Sequence, residues 1–386
     1  MRGRPRRRWL RRLVASVAAA VLLVMAVYAW AWASVDRSSI ARAMWWGEAD
    51  VGDQYRFPAR TIPAGDVANP LPVGIEIDLS SIPLAAGGSG GTFDGFLRGT
   101  DTLAFVVVDD DELVYERYLN GADPQARQTS FSVAKSFLST LVGIATDEGL
   151  IGSVADPVTE YLPELADRDP RFEQITLRDL LTMSSGIRYR EQPLPLPWGD
   201  DVNTYYGTNL RKLALNATEI KRPPGQEWLY NNYNPLLLGM VLERATGMSV
   251  SEYMATKLWQ PLGAERDATW SLDSEASGFE KMESGLNAAP VDYARFRPAV
   301  PARRRVERHA HRLSGLGACR HRRRYERRPC GGLSVLLVDR YKEDRALLRA
   351  RELRAVHLCC PRCGGRHRSE RSRLGRGKPH VAERVP

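Results

Sequence analysis

The stretch Phe131-Ser132-Val133-Ala134-Lys135-Ser136-Phe137-Leu138-Ser139-Thr140-Leu141-Val142-Gly143-Ile144-Ala145 alternates apolar and small residues at helical spacing, and Ser130 or Ser132 can cap its start. It predicts one helix with Ser132 and Lys135 at its head. Residues three apart share a helix face, so the Lys135 amine can approach the Ser132 hydroxyl. A serine hydroxyl is a poor nucleophile until a neighbouring base removes its proton. A lysine serves as that base when desolvation or nearby positive charge lowers its pKa. The helix N-terminus also favours negative charge developing close to Ser132. Taken alone, Ser-x-x-Lys is a common chance match and is ordinarily surface chemistry.

Working outward, Thr102 to Val108 and Leu113 to Tyr118 are β-rich runs separated by Asp109-Asp110-Asp111, which read as a hairpin. From Asp156 to Lys257 the pattern is helical and broken by Pro and Gly, with helices predicted at Thr176–Met183 and Pro235–Thr246. Strands followed by helices predict an α+β domain rather than alternating βαβ units. There is no internal repeat and no phosphate-cradling Gly loop. Tyr230-Asn231-Asn232 follows Pro223-Pro224-Gly225 and precedes the second of those helices. A tyrosine there can relay a proton to a leaving group, and the Asn232 amide can orient substrate or Lys135. Read by itself, the triplet is a turn with a half-buried Tyr.

Together these blocks carry a family likeness. FSVAKSFLSTLVGIATDEGLI, ITLRDLLTMSSGI, PPGQEWLYNNYNPLLLGMVLERATG, EYMATKLWQPLGA and SGLNAAPVDYARF, in that order, resemble the serine β-lactamase-related hydrolases. That group comprises class C β-lactamases, DD-peptidases, esterases and 6-aminohexanoate-oligomer hydrolases, and AKSF with LLTMSSGI is most similar to the last branch. The likeness covers about residues 100–296. It implies an antiparallel sheet flanked by helices plus an all-α subdomain, with Ser132 as acyl-enzyme nucleophile, Lys135 as its base and Tyr230 as acid/base partner. Asn232 matches the last position of the YxN motif and is expected to line the site. One oxyanion donor is implied to be the Ser132 backbone N–H. The second donor, and a third motif of the KTG or HxG type, come from a late strand that residues 297–386 do not match as written. No cofactor or metal is implied, since the mechanism needs only side chains and water. Tyr189, Tyr205 and Tyr206 are aromatic pocket candidates, or else simple packing residues.

The chain has 386 residues and a net charge of +9, which invites a nucleic-acid reading until the charge is resolved along the sequence. Residues 1–12 hold seven Arg and no acid, residues 13–296 hold 22 basic against 38 acidic residues, and residues 297–386 hold 26 against 8. The basic N-terminus precedes Leu13–Ser34, 22 residues without a charge, long enough to cross a hydrocarbon core of about 30 Å. The positive-inside rule puts residues 1–12 in the cytoplasm and the rest outside it. An uncleaved anchor is expected. The Ala31-Trp32-Ala33 triplet keeps secretion after signal cleavage as the alternative. Residues 35–100, rich in Pro and Gly, read as a tether of little regular structure.

All six His and all five Cys lie after Phe296, a placement that even usage would give about once in ten million. A shifted reading frame explains it. Taking the last two bases of each codon with the first of the next, Arg297 to Arg308 permits GLLFLHGGEWNG. The same shift over Leu347 to Arg362 permits FYARGNFGQYIYVVPD, which resembles this family's third-motif strand. Two other readings exist for this tail. Cys359-Cys360-Pro361-Arg362-Cys363 with His357 and His367 lacks the paired CxxC spacing of a zinc knuckle. Arg303–Arg305 and Arg322–Arg324 are basic runs with few aromatics, which read as a solvated tail, so no nucleic acid is expected. Without the late strands the hairpin lacks most of its sheet, and the chain as written is expected to be poorly folded or inactive.

The domain reading is therefore a cytoplasmic N-terminus (1–12), a transmembrane anchor (13–34), a tether (35–100), a partial serine hydrolase domain (101–296) and an out-of-frame tail with its strands absent or replaced by a disordered basic segment (297–386). The expected activity is hydrolysis of a small-molecule amide or ester, short linear amides ahead of β-lactams. A penicillin-interacting DD-peptidase or β-lactamase is the alternative enzyme. A truncated non-catalytic binding relative is the alternative from another class. Sequence leaves the oligomeric state open.

Overall fold

A computed structural model describes residues 5–66, 69–84, 91–109, 111–191, 199–296, 332–338 and 354–357. The predicted hairpin is present as antiparallel strands Thr102–Asp109 and Glu112–Tyr118, with Ala104 opposite Tyr118 and Asp111 turning at φ 73°. Ala104, Val106 and Val108 point into the main core, while Val107 packs with Tyr115 on the other face. This is the two-residue alternation of a pleated strand covered on both sides.

The helix read from Phe131 onward is one 3-10 turn, Phe131–Val133, followed by an α-helix, Ala134–Asp147. Its buried positions Ala134, Phe137, Leu138, Leu141, Val142 and Ala145 follow the three-and-four spacing of one helix face. That face meets Ala104 and Val106 of the hairpin and the helix Tyr233–Thr246 in one core cluster. The Tyr233–Thr246 helix is buried without a break from Tyr233 to Leu242. A Cβ on Gly239 would come within 2.4 Å of Met282, so only glycine admits the chain that crosses there. The helix ends at Gly247, left-handed at φ 68°. The helix predicted at Thr176–Met183 is Leu177–Leu181, started by a capping box between Thr176 and Asp179.

A second, four-stranded sheet runs in the order Ala59–Ile62, Ala268–Ser271, Leu286–Ala288, Gln128–Thr129, all pairs antiparallel. It delivers the chain to the helix head, because Gln128–Thr129 leads directly into Phe131 and Ser132.

Two expectations are corrected. Residues 35–100 are not a tether of little structure. They hold the helix Ser39–Trp46, a 3-10 turn at Val51–Tyr55, the strand Ala59–Ile62 and the helix Phe93–Gly99. Arg42, Asp53 and Phe57 are buried there, and the Arg42 guanidinium donates to the carbonyls of Val35, Tyr206, Gly207 and Asp273. Helix ends and turn carbonyls across the domain need those donors, which is why this segment folds onto it. In the tail, where strands were expected to be missing, two are described. Gly332–Val338 pairs parallel with Thr102–Asp109, and Arg354–His357 pairs antiparallel with Gly332–Val338. The run Leu333-Ser334-Val335-Leu336-Leu337-Val338 is rich in aliphatic and β-branched residues, a composition that suits an inner strand. The cysteine cluster and the Arg303–Arg305 and Arg322–Arg324 runs lie outside the described residues.

At the other end, one helix spans Pro5–Ser34. Its Trp9–Ser34 portion is 26 residues long and holds an 18-residue window of mean hydropathy 2.3, none of it buried within the protein, so it is long and apolar enough to cross a membrane.

Candidate active site

The chain reaches Ser132 through a strained turn. Ser130 N–H donates to the Leu286 carbonyl at 2.8 Å, and the Tyr293 hydroxyl donates to the Gln128 and Leu286 carbonyls at 2.9 and 2.8 Å. Phe131 then adopts φ 45° with its ring buried. A non-glycine residue in that region is costly and persists where its surroundings fix it. The turn leaves Ser132 exposed at the helix head.

Neither serine caps the helix through its side chain, contrary to expectation. Ser130 Oγ donates to the Phe131 carbonyl at 3.2 Å. The Ser132 hydroxyl is engaged differently: Lys135 Nζ donates to it at 3.1 Å and the Tyr230 hydroxyl at 2.7 Å. Lys135 Nζ also donates to the Glu283 carbonyl at 2.7 Å and lies 4.9 Å from the centroid of the Tyr230 ring. Both groups are therefore within proton-transfer reach of one hydroxyl.

Tyr230 is placed by the loop before the Tyr233–Thr246 helix. Gly225, at φ 77°, sends its N–H to the Ser184 carbonyl at 2.8 Å, and Leu229 N–H reaches the Met183 carbonyl at 2.8 Å. Asn231 locks the next step, donating to the Ile187 carbonyl at 2.9 Å and accepting from Tyr233 N–H at 2.8 Å. Asn232 donates to the Tyr189 hydroxyl at 2.9 Å and to Thr204 Oγ1 at 3.5 Å, rather than to Lys135. Its Oδ1 is buried with no hydrogen-bond partner among the described residues.

The three tyrosine candidates separate. Tyr189 is buried beside Asn232, shares a hydrogen bond of 3.0 Å with Thr204 and meets the Tyr233 ring edge-on at 5.8 Å. Burial pushes its pKa well above the ordinary tyrosine value, so it stays a neutral hydroxyl. Tyr205 and Tyr206 instead pack against the segment before the hairpin. The Tyr205 hydroxyl donates to Asp53 at 2.8 Å and the Tyr206 hydroxyl to the Gly47 carbonyl at 2.6 Å. They cluster with Ala43 and Phe57, so packing is their role. The residues 35–57 they meet looked like a tether, which hid this.

Sequence reading missed the Glu283 carbonyl that holds Lys135. It also missed Thr204 and the buried bond from Ser185 Oγ to Asn234 Oδ1 at 2.7 Å that fixes the head of the central helix. Nothing local in the string Glu280-Lys281-Met282-Glu283 signals burial. The second oxyanion donor was assigned to the late strand, outside the residues whose side chains are described.

Comparison with known proteins gives the family and the fold. A sequence model of the beta-lactamase family matches residues 92–326. The 6-aminohexanoate-dimer hydrolase of Paenarthrobacter ureafaciens is 30% identical over 267 residues, covering 65% of this chain and 62% of that protein. A beta-lactamase of Escherichia coli K12 is 33% identical over 150 residues, covering 38% of this chain and 36% of that protein. The chain thus spans less than two thirds of these relatives. In solved structures, a Bacillus anthracis protein provisionally assigned as a 6-aminohexanoate-dimer hydrolase superposes with TM-score 0.56 at 24% identity, covering 62% of this chain and 64% of that one. The fold is that of β-lactamases and DD-peptidases, and the chain belongs to the beta-lactamase family.

Proposed function

We propose that this chain is a membrane-anchored, extracytoplasmic serine hydrolase that cleaves a small amide or ester through an acyl-enzyme on Ser132. The observation that carries the reading is the convergence of Lys135 Nζ and the Tyr230 hydroxyl on the exposed Ser132 hydroxyl, at 3.1 and 2.7 Å. Lys135 takes the Ser132 proton as Oγ attacks the carbonyl carbon. Tyr230 relays a proton to the leaving nitrogen or oxygen as the tetrahedral intermediate collapses to acyl-Ser132. Water then attacks the acyl ester, loses its proton to the same pair and releases the acid, with Ser132 reprotonated. The Ser132 N–H serves as one oxyanion donor, while Asn232 and Tyr189 form the wall that receives the substrate amide or ester.

Short linear amides rank ahead of β-lactams, in keeping with the Paenarthrobacter relative. The Escherichia coli relative supports the second reading, a β-lactamase or DD-peptidase. Hydrolysis of 6-aminohexanoate dimer and nitrophenyl esters, set beside acylation and turnover of a fluorescent penicillin, separates them. Any of these activities surviving intact in Ser132→Ala would sink the acyl-enzyme reading and favour a non-catalytic relative. Anchoring is supported by the apolar helix Trp9–Ser34 behind its Arg cluster. Alkaline extraction of membranes tests it, with release into the soluble fraction as the contrary result.

The reading of residues 297–386 as out of frame is part of the same proposal. The family match runs to residue 326, an overlap that a shift placed at Phe296 does not by itself explain. Resequencing the codons for Asp292 to Arg305 decides the matter. A missing or extra base restores the late strand and its oxyanion donor, whereas an unaltered frame retires the idea.

A further inference from the structure

Lys281 and Glu283 are ionisable side chains that the proposed reaction does not use, and each is 1% exposed. Burying two charges is costly and persists only with good partners. Lys281 Nζ donates to Glu283 Oε1 at 2.9 Å and to the Tyr205 carbonyl, and it lies 4.5 and 4.3 Å from the ring centroids of Phe57 and Tyr205. Ser284 Oγ donates to the same Glu283 oxygen at 2.9 Å. Burial pushes the Lys281 pKa down, and Glu283 opposes that shift.

Glu283 also meets the catalytic group through its main chain. Its carbonyl accepts from Lys135 Nζ at 2.7 Å, the shorter of the two bonds given for that amine. Lys135 sits on a flexible four-carbon stem, so a fixed acceptor beyond Ser132 determines where its nitrogen lies. Resting on the reading of Lys135 as base, we infer that Glu283 is a positioning residue. Its side chain, anchored on Lys281, fixes the carbonyl that aims the Lys135 amine at Ser132. Phe57, which precedes the family match at residue 92, closes the cage around that anchor. The segment behind the membrane helix is thereby built into the support of the site.

The test uses the full chain in detergent and two readouts. The first is the acetylation rate of each lysine by an N-hydroxysuccinimide ester, read by mass spectrometry. The second is the acylation rate constant and affinity for a fluorophosphonate. In the wild type Lys135 is protected relative to the exposed Lys212. Glu283→Gln removes the anchor's charge, so Lys135 loses protection while Lys212 is unchanged. Acylation slows about 10- to 100-fold with affinity for the probe kept. Should Glu283→Gln fail to melt cooperatively, Glu283→Asp takes its place, with loss of Lys135 protection and a smaller rate loss expected. A folded variant whose Lys135 stays protected and whose acylation rate is unchanged overturns the inference. So does a wild type in which Lys135 reacts as fast as Lys212. Lysine protection needs no turnover. A wild type that never labels Ser132, yet loses Lys135 protection on Glu283→Gln, therefore sinks the hydrolase reading and keeps the positioning role.

Discussion

The helical side of the site and its sheet side are unequal. On the helical side, Ser132 and Lys135 stand at the head of one helix and Tyr230 and Asn232 in the loop that enters the other, and the inner faces of those helices are buried from Ala134 to Ala145 and from Tyr233 to Leu242. The Ser132 hydroxyl accepts from Lys135 and Tyr230 there, and Lys135 is held in turn by the Glu283 carbonyl. On the sheet side, the proposed reaction takes its second oxyanion donor from a late strand. The strands described there, Gly332–Val338 and Arg354–His357, sit among 26 basic residues between 297 and 386. In the proposed reaction, proton transfer and oxyanion binding therefore depend on different parts of the chain. Damage to one half leaves the other recognisable, and mutations in the two halves should have separable effects.

The largest effect is expected from Ser132→Ala, which removes the atom that carries the acyl group and should abolish fluorophosphonate labelling altogether. Tyr230→Phe deletes a proton relay and should slow acylation about 10²- to 10⁴-fold without moving the melting temperature. A melting shift with an unchanged rate would make Tyr230 a packing residue. Restoring the frame after Phe296 sharpens the contrast from the other side. Gain of one oxyanion donor should raise the acylation rate about 10²- to 10³-fold, checked by assaying the two chains together. Phe137 is fully buried and stacks on Phe296 at 3.7 Å, where the helical half meets the last described residue before the tail. Phe137→Ala should cost about 3–5 kcal/mol of stability in urea titrations.

The smallest effect concerns an ion pair on the outside of the helical half. Arg244 donates to Glu164 and holds its carboxyl below the ordinary value, with desolvation opposing. The folded-state pKa is depressed, so this stabilisation is present above the unfolded pKa and lost as pH falls through the folded one. With both side chains over a third exposed, it is worth less than about 1 kcal/mol. Glu164→Gln should remove that small slope from the acid limb of a stability profile and leave catalysis alone.

Much of the helical side was legible in the sequence. Ser132 and Lys135 three apart at a helix head, and Tyr230 after a Pro-Pro-Gly turn, are local patterns that the fold preserves. The hairpin at Thr102–Tyr118 was legible for the same reason, with alternation matching a strand covered on both faces. Hidden were the features set by contacts distant in sequence. Arg42, Asp53 and Phe57 lie in a Pro- and Gly-rich stretch that reads as a tether, yet they are buried against residues 200–283. Lys281 and Glu283 form a buried ion pair that no local pattern announces. Tyr205 and Tyr206 read equally as pocket aromatics or packing residues, because nothing local shows that the segment they face folds back onto them.

The most direct measurement is peptide mapping of the fluorophosphonate adduct on the frame-restored full-length chain, beside its Lys135→Ala variant. The account predicts one adduct, on the peptide carrying Ser132, formed about 10²- to 10⁴-fold more slowly in the variant. An adduct on another residue, no adduct on a folded chain, or equal rates with and without Lys135 would contradict it.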